Sequence, residues 1–353
     1  MTQRSLEILD AYLSGLPRVA LGTFPTPLTR LERLGRDLGI ELWMKRDDCS
    51  GLALGGNKAR KLEFVLADAI AKGHDTIVTT GPVTSNHTMM TAAAARRLGL
   101  SIHCVIGGTP PARAFGNLLL LDYLGATTHF SPIDFADPDR SEVEALGRLC
   151  DQVVTSTSGY WIPAGGTMPE AEPGFMSAVS EIAHQCDGRF PFDHVVLALG
   201  TGSTTTGVLL GIGVAGFRTR VAAVAIGTRH ALEGVFRRPP LADLFLTAAV
   251  HLGLDLSGDD IPNHEVVYGF SEFGYGVPTE ESDRAIRYLA EREGYLLDPV
   301  YTAKAFAGLL GMVEDGRLGR GSRVLFLHTG GLSMTPSAEK RYDRADAVAE
   351  PST

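Results

Sequence analysis

ALGGNKARKLEF, residues 53–64, places two glycines, an asparagine and three cations in front of an apolar run. The apolar spacing predicts a helix over 58–71. Lys58 then falls in the first turn, where the helix dipole disfavours positive charge, and Arg60 and Lys61 add like-charge pressure. Burial adds desolvation, and all of these lower a lysine pKa. A neutral amine is both nucleophile and base, which suits Schiff-base chemistry. Gly55 and Gly56 would let the backbone approach a bound group, Asn57 can bond to it without bringing charge, and Lys61, one turn on, can reach a phosphate. Arg60 reads as electrostatic background. The competing reading is a solvated basic face at a helix start, and the stretch alone leaves both open.

Working outward, strand and helix patterns alternate. DTIVTTG (75–81) is a β-branched run closed by glycine, NHTMMTAAAARRLGL (86–100) is helical, and SIHCVIGG (101–108) is a second strand. AFGNLLLLDYLG (114–125) is another helix, and ATTHF (126–130) starts a third strand. The rhythm returns in FDHVVLALGTGSTTTGVLLGIG (192–213), RVAAVAIGT (220–228) and SRVLFLHTGG (322–331), with helices over 281–294 and 301–316. Such βα alternation predicts parallel sheets wrapped by helices, with ligands at the edge where the strands end. The Pro-, Gly- and Thr-rich segment 154–174 reads as a passage between two lobes, and the polar tail after Pro336 as frayed.

GTGSTTTG (200–207) follows an apolar strand and opens a helix, a design that aims backbone N–H groups at one phosphate. It lacks the Gly-Lys-Ser/Thr of a nucleotide loop. Thr205 stands at the third glycine of a dinucleotide turn, and no acid follows at the expected distance. A small, compact phosphate fits the hydroxyls of Ser203, Thr204, Thr205 and Thr206; a plain N-cap turn is the alternative. TSNHTMM (84–90) sets Ser85, Asn86 and His87 at a strand-to-helix junction, either as an N-cap or as a site for a substrate carboxylate. No Gly-x-Ser-x-Gly elbow accompanies it, which disfavours a hydrolase.

The formal net charge of −9 over 353 residues argues against nucleic acid. No segment reads as a secretion signal or a membrane span. The four cysteines, Cys49, Cys104, Cys150 and Cys186, show neither a disulfide framework nor metal spacing, so a reducing cytoplasm is the expected setting and no metal is expected. Cys104 falls in a core strand pattern.

The motifs GGNKARKLE (55–63), TSNH (84–87), YWIPAGG (160–166), GTGST (200–204), DPVYT (298–302) and HTGG (328–331) occur in this order. Together they resemble the D-cysteine desulfhydrase and 1-aminocyclopropane-1-carboxylate (ACC) deaminase family, from about Thr26 to Gly331. The resemblance implies a pyridoxal 5′-phosphate (PLP) enzyme of the tryptophan-synthase β-subunit fold. It implies a larger domain from 1–54 and 170–345, a smaller one from 55–169 and a disordered tail over 346–353. It implies that Lys58 holds PLP covalently, that Asn86 bonds its 3′-oxygen, and that Lys61 with Gly200, Thr201, Gly202, Ser203 and Thr204 holds its phosphate. Ser85 would meet the substrate carboxylate, with Thr84, Asn86 and His87 nearby, and Tyr275 and Tyr301 would flank the substrate. A homodimer acting on a small amino acid is the implied assembly and partner.

Two positions separate the branches of that family. ACC deaminases carry Glu after the equivalent of Tyr301 and Leu inside the last motif; here Thr302 and Thr329 stand there, as in the desulfhydrases. A hydroxyl rather than a carboxylate at the cofactor's ring nitrogen makes a shallower electron sink, which suits loss of a good leaving group. The implied reaction is Cα deprotonation and β-elimination to pyruvate and ammonia. ACC ring opening, elimination from cysteate or a diamino acid, β-replacement, and a non-covalent phosphosugar- or nucleotide-binding module are the alternatives. The chain departs from the family pattern at Thr84, Met89, Met90, Met168 and Ala171, and adds Glu170 and Glu172. Acids beside the substrate would favour one carrying an extra amine; the alternative is that both glutamates face water.

Overall fold

A computed structural model describes residues 5–331. The expected tail and the C-terminal end of the larger expected domain lie outside the described residues. The chain opens with α1 (Leu6–Ser14), β1 (Leu28–Arg30), α2 (Glu32–Leu38) and β2 (Glu41–Arg46). Then follow α3 (Lys58–Ala71), β3 (Thr76–Pro82), α4 (Asn86–Arg97), β4 (Ser101–Gly107), α5 (Gly116–Tyr123), β5 (Thr127–Ser131), α6 (Arg140–Thr157) and β6 (Tyr160–Ile162). The remainder comprises α7 (Pro173–Gln185), β7 (His194–Leu199), α8 (Ser203–Ala215), β8 (Arg220–Ala225), α9 (Leu241–His251), β9 (His264–Val267), α10 (Glu280–Glu293), α11 (Thr302–Glu314) and β10 (Arg323–His328).

These strands form two sheets, one in the order β1-β2-β10-β7-β8-β9 and one in the order β5-β4-β3-β6. Every neighbouring pair is parallel except β1 with β2. Strand periodicity divides the six-stranded sheet's side chains between two cores. Val195, Leu197, Leu325 and Leu327 pack with α7, α8 and α9. Val196, Val324 and Phe326 pack with α2, α10 and α11. In the four-stranded sheet, Ile77, Ile102 and Cys104 pack against α3 and α4, while Val78 and Val105 pack with Cys150 and Val153 of α6.

The passage expected over 154–174 is shorter than its composition suggests. Residues 154–157 complete the last turn of α6, Ser158 ends it in a left-handed conformation, and β6 pairs with β3. Two 3-10 turns, Ala164–Gly166 and Pro169–Ala171, then lead into α7.

Candidate active site

The site starts from the turn that opens α3. At Gly55 (φ 78°) a Cβ would sit 1.8 Å from the Asp48 carbonyl oxygen. Gly56 (φ 137°) forms an antiparallel bridge with Gly330, and the Asn57 N–H donates to the Thr329 carbonyl at 3.0 Å. The glycines therefore let chain approach chain, which corrects the expectation that they make room for a bound group. Asn57 donates to the Thr204 hydroxyl at 3.0 Å, tying α3 to the phosphate turn.

Arg60 is not background. It is fully buried and donates to Asp47 Oδ1 (2.8 Å) and Oδ2 (2.9 Å), to Glu181 Oε1 (2.8 Å) and Oε2 (2.9 Å), and to Thr26 Oγ1 (3.0 Å). Lys45 shares Glu181, and Phe24 lies 4.4 Å from the guanidinium carbon. With its charge matched, Arg60 adds no pressure on Lys58. Burial first, then the charge of Lys61, pushes the Lys58 amine well below its ordinary range.

At the ends of the parallel strands a cavity of about 390 Å³ opens. Lys58, Lys61, Ser85, Asn86 and His87 line it on one side. Gly200, Thr201, Gly202 and Thr204 line it on another, and Tyr275, Tyr301 and Thr329 complete the expected set. The Lys58 amine has no hydrogen-bond or ion-pair partner among the described residues. Lys61 donates to the Gly165 carbonyl at 3.3 Å, and burial, opposed by Glu172, lowers its pKa to about 8. Burial first, then the neighbouring lysines, pushes His87 well below its ordinary range. Its Nε2 lies 2.8 Å from the Thr79 hydroxyl, whose own hydrogen goes to the Ile162 carbonyl, so Nε2 carries the proton.

Gly202 (φ 110°) turns the chain into α8, so the first N–H groups of that helix stay free for an anion. Thr205 lies on the cavity wall with a buried hydroxyl that has no partner. A buried donor without an acceptor is costly, and a phosphate seated here would supply one. Across the cavity, Ser85 caps α4, accepting from the Thr88 N–H at 3.2 Å. Tyr275 and Tyr301 share a hydroxyl–hydroxyl hydrogen bond. Burial, with Tyr275 and Asp298 adding, raises the Tyr301 phenol well above its ordinary range, so it keeps its proton.

Three expected residues do not line the cavity. The Thr84 side chain is hydrogen-bonded to Tyr275, and its carbonyl accepts from Asn117 at 2.9 Å. Ser203 bonds the Gly166 carbonyl at 3.2 Å. Thr302 is fully buried and spends its hydroxyl on Asp298 Oδ1, at 2.6 Å. Of the two threonines, Thr329 is the one on the wall.

The departures from the family pattern also fall elsewhere. Met89 and Met90 are buried in the core of the smaller sheet, with Ala171 beside them and Met168 against it. Glu170 lies 3.1 Å from His251. Glu172 is buried behind the phosphate turn, hydrogen-bonded to Ser203. Burial raises it to about 8 against the opposing charge of Lys61. Neither glutamate lines the cavity, and Glu172 does not face water either. Reading the sequence missed Phe135, Phe236, Arg237 and Arg238, which do line it. Phe135 and Phe236 stack at 5.9 Å although they are far apart in sequence. The adjacent pair Arg237–Arg238 is the one local signal that could have drawn notice.

A buried, partnerless lysine with a lowered pKa beside the N-terminus of α8, at the strand ends of a parallel α/β fold, is an arrangement suited to a cofactor-dependent enzyme of Schiff-base type. The chain belongs to the pyridoxal-phosphate-dependent enzyme family, whose model matches residues 19–330. A Pyrococcus horikoshii protein provisionally named 1-aminocyclopropane-1-carboxylate deaminase is 37% identical, over 92% of this chain and 95% of that one. The D-cysteine desulfhydrase of Klebsiella pneumoniae is 37% identical over 90% of this chain and 95% of its own. The crystal structure of an ACC deaminase homologue superposes with a TM-score of 0.79 at 36% identity, covering 93% of this chain and 96% of that one. The cofactor is PLP.

Proposed function

We propose that this enzyme removes the Cα proton and a β-substituent from a small amino acid, in the manner of D-cysteine desulfhydrase. The observation that carries the reading is the partnerless Lys58 amine, its pKa lowered by burial, on the wall that also presents the α8 N-terminus. Bound PLP supplies an electron sink for the negative charge that develops at Cα. Lys58 would hold it covalently, Lys61 with the 200–205 turn would take its phosphate, Asn86 its 3′-oxygen and Thr329 its ring nitrogen. Thr302 is turned to Asp298 and no carboxylate among the described residues lines the cavity to protonate that nitrogen, which favours elimination over ring opening.

Ser85 and the N-terminus of α4 would orient the substrate carboxylate. The Lys58 amine, its pKa lowered by burial and by Lys61, takes the Cα proton at Nζ as general base. Tyr275 and Tyr301, both protonated, flank the reacting carbons as donors. The Cα–H and Cβ–X bonds break, X departs with the bonding pair, and one water converts the remaining three-carbon fragment to pyruvate and ammonia.

The test is reduction of the yellow holoenzyme with borohydride and peptide mapping, followed by a substrate screen. The label is expected on Lys58, with sulfide and pyruvate from D-cysteine. A label on another lysine refutes the assignment of the site. Turnover of ACC with none of D-cysteine refutes the substrate while leaving Lys58 in place.

A further inference from the structure

Four aromatic rings follow one another along the cavity wall. The Tyr301 and Tyr275 centroids are 5.9 Å apart, Tyr275 and Phe135 are 6.0 Å apart, and Phe135 stacks on Phe236 at 5.9 Å with the ring planes 12° apart. Phe135 and Phe236 are only half-buried, although Phe135 packs one side against the core beneath α6. The segments that carry these rings are far apart in sequence, and two glycines let them close up. A Cβ on Gly107 would lie 2.6 Å from Phe135 Cε2, so Gly107 seats that ring over the end of β4. A Cβ on Gly274 (φ 93°) would lie 2.3 Å from the Ala136 carbonyl oxygen. Gly274 thus brings the turn that carries Tyr275 onto the segment that carries Phe135.

The surroundings of the two phenylalanines are apolar. Ile226, Ala231 and Leu232 line the cavity with them. The charges nearby are spent on one another: Glu233 lies 3.6 Å from Arg229 and 3.5 Å from Arg238, and it accepts from the Tyr268 hydroxyl. In the proposed reaction Tyr275 and Tyr301 flank the reacting carbons. Phe135 and Phe236 continue the same row beyond Tyr275, so they face what the substrate carries past its β-carbon. Such a row binds by burying apolar surface and by ring stacking. The bare thiol of cysteine has no apolar body to lay on it.

We infer that Phe135 and Phe236 bind an apolar group carried on the substrate's β-sulfur, so that the enzyme favours S-aryl and S-alkyl cysteines over cysteine itself. This rests on the reading that the cavity acts on an α-amino acid, and it names the leaving group as an organic thiolate. The Cα–H and Cβ–S bonds break, and the thiolate departs with the bonding pair and takes up a proton. One water converts the three-carbon fragment to pyruvate and ammonia. Phe135 and Phe236 are then specificity residues.

The test is the absorbance change of the holoenzyme on titration with both enantiomers of alanine, norvaline and homophenylalanine. None of these has a leaving group; the last two match S-methylcysteine and S-phenylcysteine with a methylene in place of sulfur. For the enantiomer that binds, affinity is expected to rise in that order, with homophenylalanine at least tenfold tighter than alanine. Phe236→Ala should bring homophenylalanine within threefold of alanine while leaving alanine binding and the PLP affinity of the apoprotein within twofold of wild type. Phe236→Leu should keep part of the preference. Equal binding of the three amino acids by the wild type overturns the inference without any variant. A Phe236→Ala protein that loses alanine and homophenylalanine affinity alike also overturns it, because the ring then seals the cavity without touching the side chain. Binding of alanine alone removes this inference and spares the amino-acid reading; no response to any amino acid removes both.

Discussion

Replacing Arg60 by methionine tests whether the buried ion network fixes α3. The substitution keeps an unbranched apolar stem but removes five hydrogen bonds, leaving Asp47 without an ion-pair partner among the described residues and Glu181 with Lys45. Breaking a buried pair from one side costs about 3–5 kcal/mol. Unfolding entropy of about 2.1 cal/mol/K per residue, over 353 residues, gives roughly 0.7 kcal/mol/K. The melting temperature should therefore fall by about 4–7 °C at pH 7. The pH dependence sharpens the test. Burial pushes the Glu181 carboxyl up, but Arg60 and then Lys45 overcome this and hold it at about 2, below the ordinary 4.5. A depressed carboxyl contributes stability that is complete above pH 4.5 and lost as pH falls toward 2. The gap between wild type and variant should narrow across that window. Calorimetric melts of both proteins from pH 7 down to pH 3 measure it. A variant melting within 1 °C of wild type at pH 7, or a gap that widens on acidification, refutes the reasoning.

Three other outcomes are expected. Gly55→Ala should cost more than about 2 kcal/mol and reduce soluble yield, because its Cβ would meet the Asp48 carbonyl at 1.8 Å with φ held at 78°; a melt equal to wild type contradicts this. Inorganic phosphate should bind the apoprotein more weakly as pH rises through about 8, because Lys61 then loses its proton and Glu172 loses its own. Glu172→Gln should flatten that profile, as calorimetric titration would show. Ser85→Ala should cost about 1 kcal/mol of stability through the lost cap and raise KM more than it lowers kcat, which a melt and steady-state kinetics separate.

Local signals were legible in the sequence. Helix α3 begins at Lys58 because apolar spacing and the Gly-Gly turn are written side by side, and the parallel pairing follows from βα alternation. The partners of Arg60 were not legible: Asp47 lies 13 residues back and Glu181 121 residues on, and no periodicity links them. The same holds for Phe135 and Phe236, which meet only when the two sheets stand together. Glu172 was misread because its neighbourhood looked like a loop, whereas α7 and α8 pack closely enough to bury it. Thr302 and Thr329 occupy equivalent-looking places at strand and helix ends; only the hydrogen bonds of Asp298 show which hydroxyl is already engaged.

The bridge between Gly56 and Gly330 joins residues near opposite ends of the described chain. Strand β2 likewise finds β10, not an earlier strand, as its parallel neighbour. During synthesis the four-stranded sheet has all of its residues once the ribosome has passed β6, but the turn carrying Lys58 waits for β10. A fragment ending before β10 would lack the strand that this turn bridges, and it is expected to fold part of the scaffold while remaining colourless.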